Sequence, residues 1–269
     1  MVTESITVIA AASNEAAQAA EWLEQLHWVQ RVLVIDTGSQ DGTEEILVRG
    51  GAEVQRFTGP PTGLIHAAKN QAIRQVSTGW ILDLDLDERI PLPLRREILE
   101  RTSDPGAPAA FQVPFRHYVF GRWLRHGGWR DPHLRLYRAG VVIYPEDRAH
   151  STPQVEGTVG ELREAVVHFA HPTLHDFHVK MNRYTSQDAP LILSSGRGGL
   201  RNRAPLPARP RTWAWASFSV FWSRYVKAAG FRDGIPGLLA AAMVAAYVFV
   251  EQAKVWELTR GVESRSDET

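Results

Sequence analysis

The first hundred residues alternate short apolar runs with segments of helical pattern, and this alternation constrains the fold more than any other feature of the chain. Strands are predicted at residues 6–11, 31–35, 53–57 and 80–84, and helices at 14–28, 44–49, 66–76 and from about 92 onward. Strands joined by helices of this length require right-handed crossovers, which build a mainly parallel sheet with helices on both faces. The sequence therefore predicts an α/β fold.

Three polar residues follow predicted strands, and an open parallel sheet binds its ligands at such strand ends. They are Asn14, Asp36 and Asp85, so one crevice is expected to hold all three. An acid placed like Asp36 can accept hydrogen bonds from a ribose or a base. Turn formation is the alternative for Asp36, and it is the favoured role of Asp41, which is expected to cap the next helix. The chain has no Gly-x-Gly-x-x-Gly and no Walker lysine loop, which argues against nicotinamide enzymes and P-loop NTPases.

An acidic run ends the fourth predicted strand, where Asp83, Asp85 and Asp87 alternate with leucines. Alternate side chains of a strand share a face, so the three carboxylates are expected to lean the same way. Clustered carboxylates repel one another and are costly to bury, and a divalent cation removes that cost. Oxygen ligands of this kind suit Mg²⁺ or Mn²⁺, which would bring a substrate's phosphates with it. A solvated acidic turn before the next helix is the alternative.

A lysine and an asparagine, Lys69 and Asn70, lie on the helix that precedes the acidic strand. From there a lysine could reach the base or a phosphate of a bound nucleotide. A solvated charge on the helix surface is the alternative, since long cationic side chains keep their ends in water.

The segment 129–138 carries three arginines and a histidine and is predicted as a loop followed by a short strand. Arginine suits a diphosphate leaving group because its bidentate donors stay charged, which makes Arg135 and Arg138 candidates. Asp131 and His133 could supply the general base that is needed if a sugar hydroxyl attacks an anomeric carbon. A structural loop whose arginines stack on tryptophans is the alternative.

Further titratable residues follow at wide spacing, namely Glu146, His150, Glu156, His168 and His171. Histidines spaced in this way are more often structural residues than ligands. No metal triad is therefore predicted among them.

Composition excludes several classes of function. Thirty basic residues balance thirty acidic ones, so no overall charge attracts nucleic acid. The chain has no cysteine, which excludes disulfides, thiolate zinc sites and a cysteine nucleophile. No basic segment and apolar stretch typical of a secretory signal occur at the amino terminus, and a cytoplasmic location is expected.

The chain is predicted to divide into an amino-terminal domain at 1–171, a helical region at 172–260 and a flexible tail at 261–269. Residues 235–250 carry no charge. A bilayer span needs about twenty such residues, so a buried helix is predicted there instead.

An aromatic stripe is predicted on the helix at 212–229, with cations beside it and a basic loop before it. Its members are Phe218, Phe221, Trp222 and Tyr225. This pattern is typical of a helix that lies on a membrane surface, so peripheral contact with the inner face of the cytoplasmic membrane is one expectation. Packing of the same stripe on the domain is the other.

Together these motifs resemble those of family-2 glycosyltransferases, which are inverting enzymes with the GT-A fold, and in particular the lipopolysaccharide inner-core glucosyltransferase branch. The similarity runs from residue 6 to about 258. In family order the motifs are Asn14-Glu15, Val34-Ile-Asp-Thr-Gly-Ser-Gln-Asp-Gly-Thr43, Lys69-Asn70, Leu84-Asp-Leu-Asp-Glu88, Arg135-Leu-Tyr-Arg138, Lys180-Met-Asn-Arg-Tyr184 and Gly230-Phe-Arg-Asp-Gly-Ile-Pro-Gly237.

The resemblance implies a nucleotide-sugar donor, with Asp36 at its uracil or ribose. It makes Asp85 and Asp87 the Asp-x-Asp pair, with at least Asp87 bound to Mg²⁺ or Mn²⁺. The residues expected around the donor are Asn14, Glu15, Asp36, Lys69, Asp85, Arg135 and Arg138.

The chain departs from the family pattern at the residues expected to act on the acceptor. A His-Glu pair is common where this chain has His150-Ser151, and a small residue is typical at Asp83. The expected general base is therefore Asp131, with Glu146 or Glu156 as alternatives, and His150 is expected with Asp131 and Glu146 among the catalytic residues.

The resemblance implies an inverting transfer of a hexose, from a donor that is expected to be UDP-linked, to a glycan or lipid-linked acceptor of the cell envelope. Two other functions are compatible with the fold. A sugar nucleotidyltransferase would need a glycine-rich pyrophosphate loop that residues 10–14 lack. A non-catalytic sugar-nucleotide-binding scaffold at the membrane would have lost the base.

Overall fold

The computed structural model of the protein describes residues 5–59, 65–129, 131–145, 152–195 and 210–266. These residues form two units, one of 5–59, 65–116, 131–145 and 152–169 and one of 117–129, 170–195 and 210–266. The first unit ends close to the predicted boundary at residue 171, but residues 117–129 belong with the second unit.

The secondary structure begins with the alternation predicted from the sequence. The strands are β1 (Ile6–Ala12), β2 (Arg31–Asp36), β3 (Glu53–Arg56), β4 (Trp80–Asp83), β5 (Glu88–Arg89), β6 (Ala110–Val113), β7 (Phe115–Val119), β8 (Arg122–Trp123), β9 (His133–Arg138), β10 (Val142–Ile143), β11 (Gln154–Val155), β12 (Val159–Glu161) and β13 (Val166–His171). The helices are α1 (Ala16–Glu24), α2 (Thr43–Arg49), α3 (Ile65–Ile73), α4 (Leu92–Thr102), α5 (Leu174–Ser195), α6 (Pro210–Trp222) and α7 (Gly234–Ser266). The predicted α/β fold is confirmed.

A seven-stranded sheet in the order β12-β6-β9-β4-β1-β2-β3 forms the centre of the first unit. Strands β1 to β4 are mutually parallel, and β9 runs antiparallel to both β4 and β6. Ala12 of β1 lies opposite Asp36, and Ile9 lies opposite Asp83. The carboxyl ends of β1, β2 and β4 therefore share one edge of the sheet with the amino end of β9.

Both faces of this sheet are covered, as expected for central strands such as β1, which is apolar at almost every position. On β4, Trp80 and Leu82 join the core on one face, whereas Ile81 joins the core on the other. Helix α1 contributes Trp22 to the first core, and α3 contributes Ala68 to the second. The helices on both faces thus hold the carboxyl edge of β4 in a fixed position.

In the second unit, α7 packs against α5 and α6. Trp213 of α6 is buried, and its ring lies 6.2 Å from that of Phe249 and 6.1 Å from that of Trp256. Helix α6 ends earlier than predicted because a π-helical turn, Ser223–Lys227, follows it. Helix α7 continues to Ser266, so residues 261–266 are helical where a flexible tail is predicted from the sequence.

One helical stretch among the described residues, Gly230–Arg260, is long and apolar enough to cross a membrane by length and composition. In its most apolar part, 44% of the residues are buried within the protein. The core helix of a soluble protein meets the same criterion.

Candidate active site

The acidic run leaves the strand earlier than its alternating pattern predicts. Strand β4 ends at Asp83, and a turn follows in which the amide of Glu88 donates to the carbonyl of Asp85. The three aspartates therefore do not line one strand face. Asp83 and Glu88 are fully buried, whereas the side chains of Asp85 and Asp87 are 28% and 11% exposed.

Two cations of the protein itself lie among these carboxylates. The Nζ atom of Lys69 is 2.7 Å from Oδ1 of Asp83 and 2.7 Å from Oδ1 of Asp85. Arg135 reaches Asp83 at 3.3 Å, Asp85 at 2.9 Å and Glu88 at 2.6 Å. The expectation that a divalent ion is needed to bring the carboxylates together is therefore wrong, since Lys69 and Arg135 already balance two of the charges.

This pairing shifts the pKa values of Asp85 and Glu88 in opposite directions. Burial disfavours the ionised form of Asp85, but Lys69 and Arg135 outweigh it and hold the pKa of this carboxyl far below its usual range. For Glu88, burial is the stronger influence and raises its pKa to about 7, although Arg135 opposes the shift. Asp85 thus stays ionised at neutral pH, while Glu88 is poised between its two forms.

Helix α3 supports this network from behind. The hydroxyl of Tyr144 donates a hydrogen bond to Oδ2 of Asp83. Asn70 accepts from the backbone nitrogen of Tyr144 at 2.9 Å and donates to its carbonyl at 2.8 Å. The ring of His66 stacks on that of Tyr144 at 4.9 Å. Asn70 is therefore a structural residue in this protein.

A group that could hold a metal ion lies beside the network. One ligand atom from each of Asp87, Glu88 and His168 lies within 4.8 Å of the other two. The pairing of β13 with β5 places His168 opposite Glu88, and His168 Nε2 is 3.4 Å from Oδ1 of Asp87. Burial opposes protonation of His168, but Asp87 outweighs it and raises the pKa of the imidazole. Two carboxylates and one imidazole fit a divalent ion such as Mn²⁺.

His168 is not predicted in this group from the sequence, because histidines at such wide spacing are more often structural residues than ligands. No local spacing relates it to Asp87, since β13 lies about eighty residues later in the chain. The expected metal pair was Asp85 and Asp87, yet both oxygens of Asp85 face Lys69 and Arg135. Only the pairing of two distant strands places His168 here.

The turn after β2 lies at the same edge of the sheet, two strands from β4. Asp36 is buried, and its carboxylate accepts from the amides of Gly38 and Ser39, both at 3.0 Å, and from the hydroxyl of Ser39. Asn14 accepts from the amide of Gln40 at 2.8 Å. Two strand spacings of about 4.8 Å place Asp36 on the order of 10 Å from the acidic turn, close enough for one nucleotide to reach both. Asp36 thus shapes the turn, and its contact with a donor stays a prediction.

Glu15 and Asp41, two further polar residues at this edge of the sheet, stabilise the turn after β2. The backbone amide of Glu15 donates to the hydroxyl of Thr43 at 2.8 Å. Asp41 accepts from the amide of Ala16 at 3.1 Å and from that of Thr43 at 3.1 Å. Asp41 therefore ties the starts of α1 and α2 together, although the residue at the cap position of α2 is Gly42.

The basic side chains of Lys69 and Arg138, which are predicted to bind the donor, do not lie where a donor would contact them. Lys69 is 4% exposed, and its charge is paired inside the protein, so it does not reach a base or phosphate. Arg138 lies opposite Trp80 at the amino end of β4 and stacks on its ring at 4.5 Å. That position is three residues, or about 10 Å, from the edge that carries Asp83. The interpretation of Arg138 as a donor ligand is therefore wrong.

Asp131, which is predicted as the base, lies at the edge of the sheet that carries the acidic turn. Asp131 is exposed and stands two residues before β9, whose amino end reaches the carboxyl end of β4. Glu156 is also exposed and follows β11. Glu146 and His150 lie outside the described residues.

Comparisons with known proteins agree with this architecture. No family model matches the chain. It is 26% identical to the lipopolysaccharide core biosynthesis glycosyltransferase LpsC of Rhizobium meliloti (strain 1021), over 91% of this chain and 89% of that protein. It is 24% identical to an uncharacterized glycosyltransferase of Rickettsia felis, over 99% of this chain and 95% of that protein. The solved mannosyltransferase PcManGT from Pyrobaculum calidifontis, in complex with GDP-Man and Mn²⁺, superposes with a TM-score of 0.51 at 16% identity, over 95% of this chain and 88% of that chain.

The sheet order, the acidic turn at its carboxyl edge and the likeness to PcManGT define the GT-A fold. The chain is a glycosyltransferase of this fold. Its similarity to LpsC along nearly the whole sequence confirms the predicted resemblance to the lipopolysaccharide core glycosyltransferases.

Proposed function

We propose that this glycosyltransferase moves a hexose from a UDP-linked sugar to a glycan or lipid-linked acceptor in the synthesis of lipopolysaccharide or a related envelope polysaccharide. The observation that carries the proposal is the convergence of Asp87 and His168 beside Asp85 at the carboxyl edge of the sheet. The name of LpsC supports the class of acceptor.

The residues of the site divide the work of an inverting displacement. Asp87 and His168, with Glu88 behind them, would hold Mg²⁺ or Mn²⁺, whose chemistry is to neutralise the departing diphosphate. The turn shaped by Asp36 would border the nucleoside. Asp131 would take the proton of the acceptor hydroxyl as its oxygen bonds to the anomeric carbon and the bond from that carbon to the diphosphate oxygen breaks.

A transfer assay with the full chain tests this function. Radiolabelled UDP-hexoses and extracted core glycolipids are incubated with Mn²⁺, and label in the glycolipid is measured. We expect Asp87→Asn and His168→Gln each to lower transfer at least a hundredfold with little change in melting temperature. Glu161→Gln, an exposed acid on β12, is the matched control and should not alter the rate.

Other outcomes would favour other functions. Donor binding without turnover under all conditions would indicate the non-catalytic scaffold. Formation of a nucleotide sugar from a nucleoside triphosphate and a sugar phosphate would indicate a nucleotidyltransferase. Full activity in both Asp87→Asn and His168→Gln would exclude the proposed metal ligands.

Membrane contact through α6 is the second part of the proposal. Trp215, Phe218 and Trp222 are 68%, 51% and 46% exposed, and their rings follow one another at 5.8 and 6.2 Å. Phe221 and Tyr225 are half-buried and stack at 5.3 Å. The opposite face of α6, which carries Trp213, is the one packed on α7. Within the described part of the second unit, α6 is therefore packed through the face of Trp213, and the exposed aromatic stripe lies on its other face.

Exposed cations accompany the stripe and favour an anionic bilayer as its partner. Arg211 lies at the start of α6, and Lys227 and Arg232 follow its end. Aromatic rings insert at the level of the lipid headgroups, while cations beside them pair with anionic lipids. These contacts would place the enzyme at the inner face of the cytoplasmic membrane.

Sedimentation with vesicles tests the membrane contact. We expect the native chain to bind vesicles of phosphatidylglycerol and phosphatidylcholine, and the double variant Phe218→Ser/Trp222→Ser to lose binding at an unchanged melting temperature. Trp213→Ala is the matched control, because it should lower the melting temperature instead. A double variant that melts far below the native chain would show that the stripe is packed in the core.

A further inference from the structure

Lys69 lies where a cation would be expected between two carboxylates. Its ammonium is equidistant from Asp83 and Asp85, at 2.7 Å from each, and its side chain is 5% exposed. An ammonium that is buried to this degree is costly unless it is paired. The position of Lys69 therefore depends on the two acids, and theirs depends on it.

The acid on the inner side of this bridge is fixed by groups other than Lys69. Asp83 accepts from the hydroxyl of Tyr144 and lies 3.3 Å from Arg135. Tyr144 is held in turn by Asn70, which follows Lys69 directly on α3. Helix α3 thus carries both Lys69 and Asn70, the residue that holds Tyr144 against Asp83, and the ammonium has little freedom to move toward solvent.

The acid on the outer side, Asp85, has a protein cation at each oxygen. Lys69 faces Oδ1 and Arg135 faces Oδ2 at 2.9 Å. A divalent ion that approached Asp85 would have to displace one of these cations or come close to both. Asp87, in the turn, is paired instead with His168 of β13, whose Nε2 is 3.4 Å from its Oδ1.

We infer that Lys69 is a built-in counterion that keeps Asp85 from binding the divalent ion, so that the ion binds through Asp87 and His168. The protein then offers the ion few ligands, and the diphosphate of the donor must supply most of the others. Donor and ion are therefore expected to bind together. This inference rests on the proposed function only in taking the site to bind a divalent ion.

Binding of Mn²⁺ in the absence of any nucleotide tests the inference without an activity measurement. Free Mn²⁺ is followed by electron paramagnetic resonance during titration of the full chain. Lys69→Met removes one positive charge and releases Asp85, so Mn²⁺ should bind about tenfold more tightly. Asp83→Asn removes one negative charge and leaves Lys69 to Asp85 alone, so Mn²⁺ should bind about tenfold more weakly.

The opposite directions of the two changes distinguish this role from a general disturbance of the fold. Arg31→Met is the matched control, because Arg31 pairs with Glu53 at the amino end of β2 and its loss changes the net charge equally. It should leave Mn²⁺ binding unchanged. If Lys69→Met does not fold, Asp83→Asn decides alone, since its side chain keeps the same shape.

The inference is overturned if Lys69→Met binds Mn²⁺ no more tightly than the native chain, or if both variants shift binding in the same direction. Failure of sugar transfer would leave these binding results unaffected. The inference can therefore fail while the proposed function stands, and the proposed function can fail while the inference stands.

Discussion

The guanidinium of Arg135 lies 2.6 Å from the fully buried carboxylate of Glu88 and joins β9 to the turn after β4. The same nitrogen also reaches Asp85, and the guanidinium stands over the ring of Phe115 at 5.4 Å. Glu88 is further fixed by the amide of Asp85, which donates to its other oxygen at 2.9 Å. Arg135 thus connects Asp85, near the start of the acidic turn, to Glu88 at its end.

Removal of this arginine should destabilise the fold. Arg135→Met removes the cation paired with the buried Glu88 and leaves the partly buried Asp85 with Lys69 alone, and breaking such a buried pair costs about 3–5 kcal/mol of the free energy of unfolding. Urea denaturation at pH 7 measures the loss. Arg31→Met is the control, because its partly exposed pair with Glu53 should contribute at most about 1 kcal/mol. Equal losses in the two variants would contradict the structural importance of the Arg135 pair.

The strands and the edge that carries the site could be predicted because their signals are local. Runs such as 31–35 are apolar, flanked by turn residues and short, and these features fix both the strand and the position of Asp36 at its end. The metal group could not be predicted in the same way. His168 reaches Asp87 only because β13 pairs with β5, and no pattern near His168 indicates that pairing.

The error over Lys69 has a similar origin. A lysine on a helix is normally solvated, so the sequence favours either a surface charge or a ligand contact. Its burial depends on Asp83, which the alternating pattern placed on the same face as Asp85 and Asp87, and on Tyr144, which is distant in sequence. The pattern showed that acids cluster but not which cation neutralises them.

Asn70 should be important to stability although it contacts no substrate in this interpretation. Asn70→Ala would leave the backbone nitrogen and carbonyl of Tyr144 buried without their partner, at a cost of about 2–5 kcal/mol. Thermal and urea unfolding measure the loss. Gln71→Ala is the neighbouring control, since Gln71 bonds to exposed groups of the chain and should cost less than about 1 kcal/mol. A native-like Asn70→Ala would refute the support assigned to α3.

Two glycines at the start of α7 should respond differently to the same substitution. A Cβ at Gly237 would lie 2.1 Å from the carbonyl oxygen of Gly230, and backbone atoms cannot move aside cheaply. A Cβ at Gly234 meets nothing, and only its φ of +67° opposes alanine. Gly234→Ala should therefore cost about 1–3 kcal/mol, because a φ of +67° with a ψ of −143° is a conformation that almost only glycine adopts, and Gly237→Ala should cost clearly more. Melting temperatures of the two variants compare them directly, and a smaller loss for Gly237→Ala would contradict the close packing.

Asp233 provides a test in which pH changes the outcome. Its carboxylate accepts from the amides of Arg125 at 3.0 Å and His126 at 2.8 Å, and from the ring of His126 at 3.0 Å. Burial opposes ionisation, but these bonds outweigh it and lower the pKa of Asp233 below its ordinary value of 3.8. The ionised form is therefore favoured more in the folded protein than in the unfolded chain. Its contribution to stability is complete above pH 3.8 and is lost as the pH falls through the lower value of the folded protein.

Asp233→Asn should accordingly destabilise the protein in a manner that depends on pH. At pH 7 the variant loses bonds to a charged acceptor, worth about 1.5–3 kcal/mol of the free energy of unfolding. The difference from the native protein should shrink as the pH is lowered below 3.8, because the unfolded chain then binds a proton at this carboxyl that the folded protein binds only at lower pH. Urea denaturation of both proteins at pH 7 and pH 3 measures this change. A loss of the same size at both values would mean that the shape of the side chain matters here and its charge does not.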